Sequence, residues 1–285
     1  MLRVCYAEEK DRDFIRWTGN LLRGFIDSGR IAIVRQRERP DLMLASIWRP
    51  HRFPAGLPVV LVSNENWLVY PPHFRLRRYK AVIGVCPPPP YYWGDGPEGP
   101  LPFIHYPYEA VHFDQPIEAL YAQRDARLQI PKTGFCCFVV SNTVGGMAQR
   151  RLGIFERVNA WQRVDSAGAL LNNTGYRAPR GVAFLDWIAR YRFMICLENS
   201  HAPGYVTEKA LQASLAGTVP VYEGGGLAQF DREAIVDASA PDFPAELQRL
   251  EADAAEYERR RRLELYRQRP SLRDFEARFA ALLLD

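Results

Sequence analysis

The sequence predicts an α/β protein whose strands run parallel and are joined by helices. The first observation is the stretch from Tyr191 to Gly226, YRFMICLENSHAPGYVTEKALQASLAGTVPVYEGGG. It reads as strand, helix and strand, in the order of a right-handed crossover. The second is a series of short Val- and Ile-rich runs in the N-terminal part: Leu2 to Ala7, Ile31 to Val34, Leu42 to Ile47, Val59 to Ser63 and Ala81 to Val85. The third is size. At 285 residues, 47% hydrophobic and 25% charged, the chain is long enough for two core-bearing domains.

The N-terminal runs have strand length and little else between them, except a helical pattern at Phe14, Ile15, Leu21, Leu22 and Phe25. They predict a small α/β domain with a partly parallel sheet. One Asp-x-Asp occurs, Asp11-Arg12-Asp13. It precedes the helix instead of following a buried strand, so it reads as helix-start acid rather than a metal pair. Residues 86–108 are rich in Pro, Gly and aromatics, among them Tyr91, Tyr92, Trp93, Phe103, Tyr106 and Tyr108. Such a stretch favours a stiff, extended loop, whose rings serve either loop packing or the stacking of sugars.

The second half opens on a buried strand, Phe135 to Val140, that ends in Ser141-Asn142. A Gly145-Gly146 loop leads to a helix carrying Leu152, Phe155, Val158 and Trp161, and a second helix from Phe184 to Tyr191 feeds the central stretch. In that stretch Phe193 to Leu197 is an unbroken apolar run, as expected of a strand covered on both faces. Val206 to Ala216 follows as a helix stopped by Gly217, and Val219 to Tyr222 restarts a strand. The first N–H groups of a helix are unpaired and carry its positive dipole end, so the region around Thr207 is an anion site. Lys209 in the first turn opposes the dipole by itself and gains from an anionic ligand. An ordinary capped helix start explains the same residues equally well. Asn172 and Tyr176 fall in a turn-rich segment, where a turn role and a site role compete. Ala245 to Tyr266 reads as one solvated helix ending in ERRRRLELYR, and Leu272 to Leu284 as a further amphipathic helix.

Composition excludes several classes. A net charge of +4 and a pI near 8.8 favour anionic ligands without arguing for nucleic acid. The five cysteines lie mostly in apolar runs with no Cys-x-x-Cys pair, which suits buried thiols in a reducing compartment. No apolar run approaches the ~18 residues of a membrane span, and Met1 leads straight into a strand. A cytoplasmic location is the expectation, with at most peripheral membrane contact through the C-terminal basic run.

The central stretch resembles the donor-binding signature of glycosyltransferase family 10, the α1,3/α1,4-fucosyltransferases. That signature runs approximately as an apolar strand ending in Phe-Glu-Asn-(Ser/Thr), then Tyr-Val-Thr-Glu-Lys, then Ala-Gly-x-Val-Pro-Val. The departure is Leu197, where Phe is usual. The likeness extends upstream through Ser141-Asn142, Arg151 and Val164-Asp165, and thins before residue 130. It implies a GT-B-like architecture, two Rossmann-like domains facing a cleft, with residues 1–125 binding acceptor and residues 126–285, terminal helices included, binding the nucleotide-sugar donor. It implies inverting transfer of L-fucose from GDP-fucose to a glycan or lipopolysaccharide-type hydroxyl, with no metal and no cofactor. The donor residues it selects are Ser141, Asn142, Arg151 (Arg150 being the rival by a shift of one), Glu198, Asn199, Tyr205, Val206, Thr207, Glu208 and Lys209. The family's base is a Glu in the acceptor domain. Its spacing after Pro107 selects Glu118, with Glu109 and Asp114 as rivals, and a solvated helix-start acid is the competing reading of Glu118. Two alternatives stay open: the same fold with another nucleotide sugar, and a catalytically silent nucleotide-sugar-binding protein.

Overall fold

The structure is a computed structural model, and it describes residues 1–47, 53–65, 78–88, 101–141 and 146–284. The chain forms two compact units. One is Met1–Asp114 together with Pro270–Asp285, and the other is Gln115–Arg269.

The first unit is built on six strands: β1 (Leu2–Tyr6), β2 (Ile31–Ile33), β3 (Leu42–Ala45), β4 (Val59–Ser63), β5 (Ala81–Gly84) and β6 (Phe103–His105). Their order is β2-β1-β3-β4-β5-β6. Every pairing is parallel, where the sequence suggested only a partly parallel sheet. β3, β4 and β5 are buried along their whole length, as unbroken apolar strands covered on both faces must be. β6 lies in a stretch expected to be loop. Its flanking prolines are tolerated because it is an edge strand, and pairing with β5 supplies what local pattern does not.

The expected helix between the first two strands is two: α1 (Arg12–Leu21) and α2 (Arg23–Asp27), separated at Leu22. Asp11 caps α1, its carboxylate accepting from Phe14 N at 3.0 Å. The Asp-x-Asp therefore opens a helix. The last helix, numbered α10 below, also belongs to this unit.

The second unit begins with α3 (Ile117–Ala122) and α4 (Arg124–Leu128). Its strands are β7 (Gly134–Phe138), β8 (Val164–Ser166), β9 (Tyr191–Leu197), β10 (Val219–Glu223) and β11 (Val236–Asp237). Its other helices are α5 (Gly146–Asn159), α6 (Val182–Ile188), α7 (Glu208–Leu215), α8 (Phe243–Ala252) and α9 (Ala254–Arg260). The sheet is parallel throughout, in the order β11-β10-β9-β7-β8. Phe135, Phe138, Phe193, Val221, Phe243, Leu247 and Tyr257 form its core on the face that α5, α8 and α9 cover. A fully buried Phe or Leu contributes about 1.5–3 kcal/mol by leaving water.

Two boundaries differ from the sequence reading. The units part at Asp114–Gln115 rather than near residue 125, because α4 is tied into the second unit. Arg124, nearly buried, donates from Nε to Ser214 O (3.0 Å), from Nη2 to Arg261 O (2.9 Å) and Leu263 O (2.8 Å), and from Nη1 to Arg262 O (3.2 Å). These carbonyls lie in the last turn of α7 and just past the end of α9, where a cation suits the dipole. At the other end, α10 (Arg273–Leu283) leaves the second unit for the first. Its Phe279 ring lies 5.1 Å from Phe25, and Phe275 lies 6.4 Å from Tyr106.

The single helix expected over Ala245 to Tyr266 is also corrected. Asp253 interrupts it and caps α9, accepting from Ala255 N (3.1 Å) and Glu256 N (3.0 Å). The segment is not merely solvated, since Leu247, Leu250 and Tyr257 are buried. All four arginines of the run 259–262 pair with carboxylates, of Glu233, Glu246, Glu256 and Glu258. The run thus presents no uncompensated basic face. Among the described residues, no helix is long and apolar enough to cross a membrane. All five cysteines are buried and unbridged.

Candidate functional site

Counted from its own first strand, each sheet places the second strand on one side of the first and the third on the other. Such an order leaves a switch point, and ligands of parallel α/β sheets bind there, beyond the carboxyl ends of the strands. In the second unit the switch lies between β7 and β9. The chain leaving β7 passes Val140 and reaches Ser141, which is exposed. Gly168 packs on Val140 so closely that a Cβ there would lie 2.5 Å from Val140 O and 2.6 Å from its N. Asn142 and Gly145 fall outside the described residues.

β9 ends at Leu197, and Glu198 follows with 1% of its surface exposed. Its Oε1 accepts from Thr207 N at 2.8 Å, and its Oε2 accepts from Thr207 Oγ1 at 2.6 Å. Lys209 Nζ lies 3.3 Å from Oε2 and donates to Thr207 Oγ1 at 2.7 Å. The Thr207 hydroxyl therefore serves Glu198, and α7 starts without a side-chain cap. An N-cap threonine ordinarily bonds its own helix. Here it is turned away, so the positive end of α7 carries no side-chain acceptor from its cap residue. Burial opposes the charge of Lys209, but the carboxylates of Glu208 and Glu198 outweigh it and hold its pKa above the usual lysine value. Glu208 stands 3.9 Å from the same ammonium.

Arg151 reaches this group from α5. It is 1% exposed, and its Nη2 donates to Glu198 O at 3.3 Å and to Asn199 Oδ1. Its Nε and Nη1 are buried and make no hydrogen bond among the described residues. Burial pulls its pKa down, against the opposing pull of Glu198. A buried guanidinium with two unused donors is costly unless an acceptor arrives. Arg150, its neighbour, points elsewhere: it is largely exposed and pairs with Glu223 at the end of β10.

Gly224-Gly225-Gly226 closes the site from the β10 side. Glu198 N donates to Glu223 O at 2.9 Å, and Gly204 N to Gly225 O at 3.1 Å. A Cβ at Gly225 would overlap Ala202 O, and one at Gly224 would overlap the Glu198 side chain. Side chains are absent from this turn because the loop after β9 occupies their space. Tyr205 and Val206 are buried beneath it, at 1% and 3% exposed.

The structure thus joins Arg151, Glu198, Asn199, Thr207, Glu208 and Lys209 by direct bonds and ion pairs. Tyr205 and Val206 pack under them, and Ser141 lies at the end of the neighbouring strand. Asn172 makes a turn, donating to Tyr176 O at 2.8 Å and accepting from Gly175 N at 3.1 Å. Of the aromatics in residues 86–108, Tyr91, Tyr92 and Trp93 lie outside the described residues. Tyr106 is buried and stacks on Trp17 at 5.9 Å, a packing role.

The acceptor-side carboxylates are scattered. Glu118 is exposed on α3, within the second unit and not the first. Glu109 is 2% exposed after β6. Asp114 is open to solvent and pairs with Arg16 at 3.1 Å. Sequence reasoning passed over two further carboxylates at the carboxyl edge of the first sheet. Glu8 follows β1 and accepts from Ser46 Oγ (2.8 Å) and N (3.2 Å). Glu65 follows β4 and is half-buried, its N donating to Ser63 Oγ at 3.1 Å. The signal for both was an acid within two residues of the end of a strand-like run. Among the described residues no three His, Cys, Asp or Glu side chains converge as metal ligands would.

Two parallel, doubly wound sheets, one with a helix start lacking a side-chain cap at its switch point, define a GT-B-type glycosyltransferase fold. A solved α1,3-fucosyltransferase structure with GDP-fucose superimposes with TM-score 0.70 at 21% identity, covering 100% of this chain and 90% of that one. An α-glucosyltransferase in complex with UDP and DNA gives TM-score 0.55 at 11% identity, covering 99% of each chain. Residues 130–260 match the family model for glycosyltransferase family 10 (fucosyltransferase), C-terminal region, and over that stretch the chain is similar to that family. The α-(1,3)-fucosyltransferase of Helicobacter pylori is 36% identical over 93 residues, 33% of this chain and 18% of that protein. A human 4-galactosyl-N-acetylglucosaminide 3-α-L-fucosyltransferase is 30% identical over 151 residues, 50% of this chain. The match spans 39% of that human protein's own length.

Proposed function

We propose that the protein transfers L-fucose from GDP-fucose to a glycan or lipopolysaccharide-type hydroxyl, with inversion and without a metal. The observation that carries this is the cation pair at the start of α7: Lys209 on Glu198, and Arg151 with two buried donors unused. Such a site suits a diphosphate, which would accept from the unused nitrogens and from the helix start. As the anomeric carbon passes through an oxocarbenium-like state, Lys209 and Arg151 would neutralise charge building on the leaving diphosphate. Glu198 sets the position of Lys209 and Thr207, while Asn199, Tyr205 and Glu208 lie where ribose or sugar hydroxyls would follow. Five buried, unbridged thiols support a reducing, cytoplasmic setting.

Inversion needs a base to take the acceptor proton. Spacing favours Glu118, with Glu109 and Asp114 beside it. Position at the carboxyl edge favours Glu65, which is half-buried and so reachable, whereas Glu8 is committed to Ser46. Glu65→Gln, Glu118→Gln, Glu109→Gln and Asp114→Asn are each to be assayed for transfer from GDP-fucose. One of the four should lower kcat by about 10²–10⁴ with GDP affinity kept. An active protein indifferent to all four would sink the base assignment. A protein that binds GDP and transfers to no glycan would be the silent binder, and one that prefers another nucleotide sugar would keep the fold and change the donor.

A further inference from the structure

Arg150, Glu223 and His201 make a second charged cluster at the same edge of the sheet. Glu223 ends β10 and is 3% exposed. Arg150 grips it like a fork: Nε stands 3.0 and 2.9 Å from the two carboxylate oxygens, and Nη2 also donates to Oε1. This hydrogen-bonded contact raises the Arg150 pKa, against the smaller cost of burial. His201 Nε2 lies 3.8 Å from Oε2. The Arg150 and His201 side chains are 48% and 38% exposed, so the carboxylate is hidden while both of its partners face outward. A buried carboxylate is costly unless paired, and this one stands where parallel sheets take ligands. Because Glu198 N donates to Glu223 O, the two clusters hang from adjacent strand ends, whose backbones are about 4.8 Å apart.

We propose that Arg150, held by Glu223, and His201 beside it bind adjacent hydroxyls of a sugar ring of the donor, with Glu223 as the positioning residue of Arg150. This rests on the function proposed above. Arg150 Nη1 makes no hydrogen bond among the described residues and offers two donors in a fixed plane. The outer nitrogen of His201 donates or accepts according to tautomer, and a vicinal diol can satisfy both groups. The ring is either the ribose of the nucleotide or the transferred hexose, since each is esterified directly to one end of the diphosphate.

Calorimetric affinities for GDP-fucose, GDP and inorganic pyrophosphate distinguish the two in wild type, His201→Ala, Arg150→Lys and Glu223→Gln. His201→Ala trims an exposed side chain and leaves the fold intact, whereas Arg150→Lys keeps the charge and loses the fork. About tenfold weaker binding of GDP-fucose is expected in each variant, with pyrophosphate unchanged. A loss confined to GDP-fucose assigns the hexose, and an equal loss for GDP assigns the ribose. Unchanged affinities for both nucleotides, or a pyrophosphate affinity that falls in step, overturn the subsite. Wild-type protein that binds neither nucleotide overturns the function proposed above instead.

Discussion

Lys209→Ala is expected to lower kcat for transfer from GDP-fucose by about 10²–10³ while leaving a folded protein, because in the proposed mechanism its ammonium neutralises charge building on the leaving diphosphate. The fold should survive because Glu198 keeps two of its three bonds, those from Thr207 N and Oγ1. The loss should be in kcat more than in KM, since an interaction that strengthens in the transition state acts there. Lys209→Arg retains the charge in a different shape and should recover only part of the rate. Circular dichroism together with single-turnover assays checks both halves. Near-wild-type turnover in a folded Lys209→Ala protein would remove Lys209 from the mechanism.

Gly225→Ala should be the most damaging methyl among the described glycines. The new Cβ would collide with the backbone carbonyl of Ala202, and it would stand 3.3 Å from Tyr205 N. Backbone cannot swing aside as a long side chain can, so the loop 198–205 must shift, and Glu198 and Asn199 with it. A displacement of about 1 Å at a positioned site costs on the order of 100-fold in rate. The expected result is a GDP affinity at least tenfold weaker and a lowered Tm. A control at Gly153 within α5, where a Cβ would meet nothing within 4 Å, should leave GDP affinity unchanged and raise rather than lower Tm. Unaltered GDP binding in Gly225→Ala would show that the triple-glycine turn does not support the site.

Much of the second unit was legible because its information is local. The unbroken apolar run before Glu198, the helix stopped by Gly217 and the strand ending in glycines each follow from side chains within a few residues. The density of the match to one family's donor signature added which of these residues meet. What was illegible depends on partners distant in sequence. β6 exists because β5 lies beside it, and the rings that receive the phenylalanines of α10, Phe25 and Tyr106, are far from them in sequence. Nothing near Arg124 reveals that it closes on carbonyls from Ser214 and from 261–263, so the boundary near residue 125 was misplaced. The Thr207 cap looked ordinary because its real acceptor, Glu198, precedes it by a whole loop. Glu223 was invisible for the same reason: only the folded sheet sets a strand-end acid against Arg150 and His201.

The most direct test of the donor site is calorimetric titration of the purified protein with GDP, UDP, ADP and CMP, with and without EDTA. The site described here predicts selective GDP binding that survives EDTA and is lost in Arg151→Ala, whose unused nitrogens are then gone. Absence of binding to all four nucleotides, or GDP binding indifferent to Arg151, would contradict a diphosphate held between α5 and the start of α7.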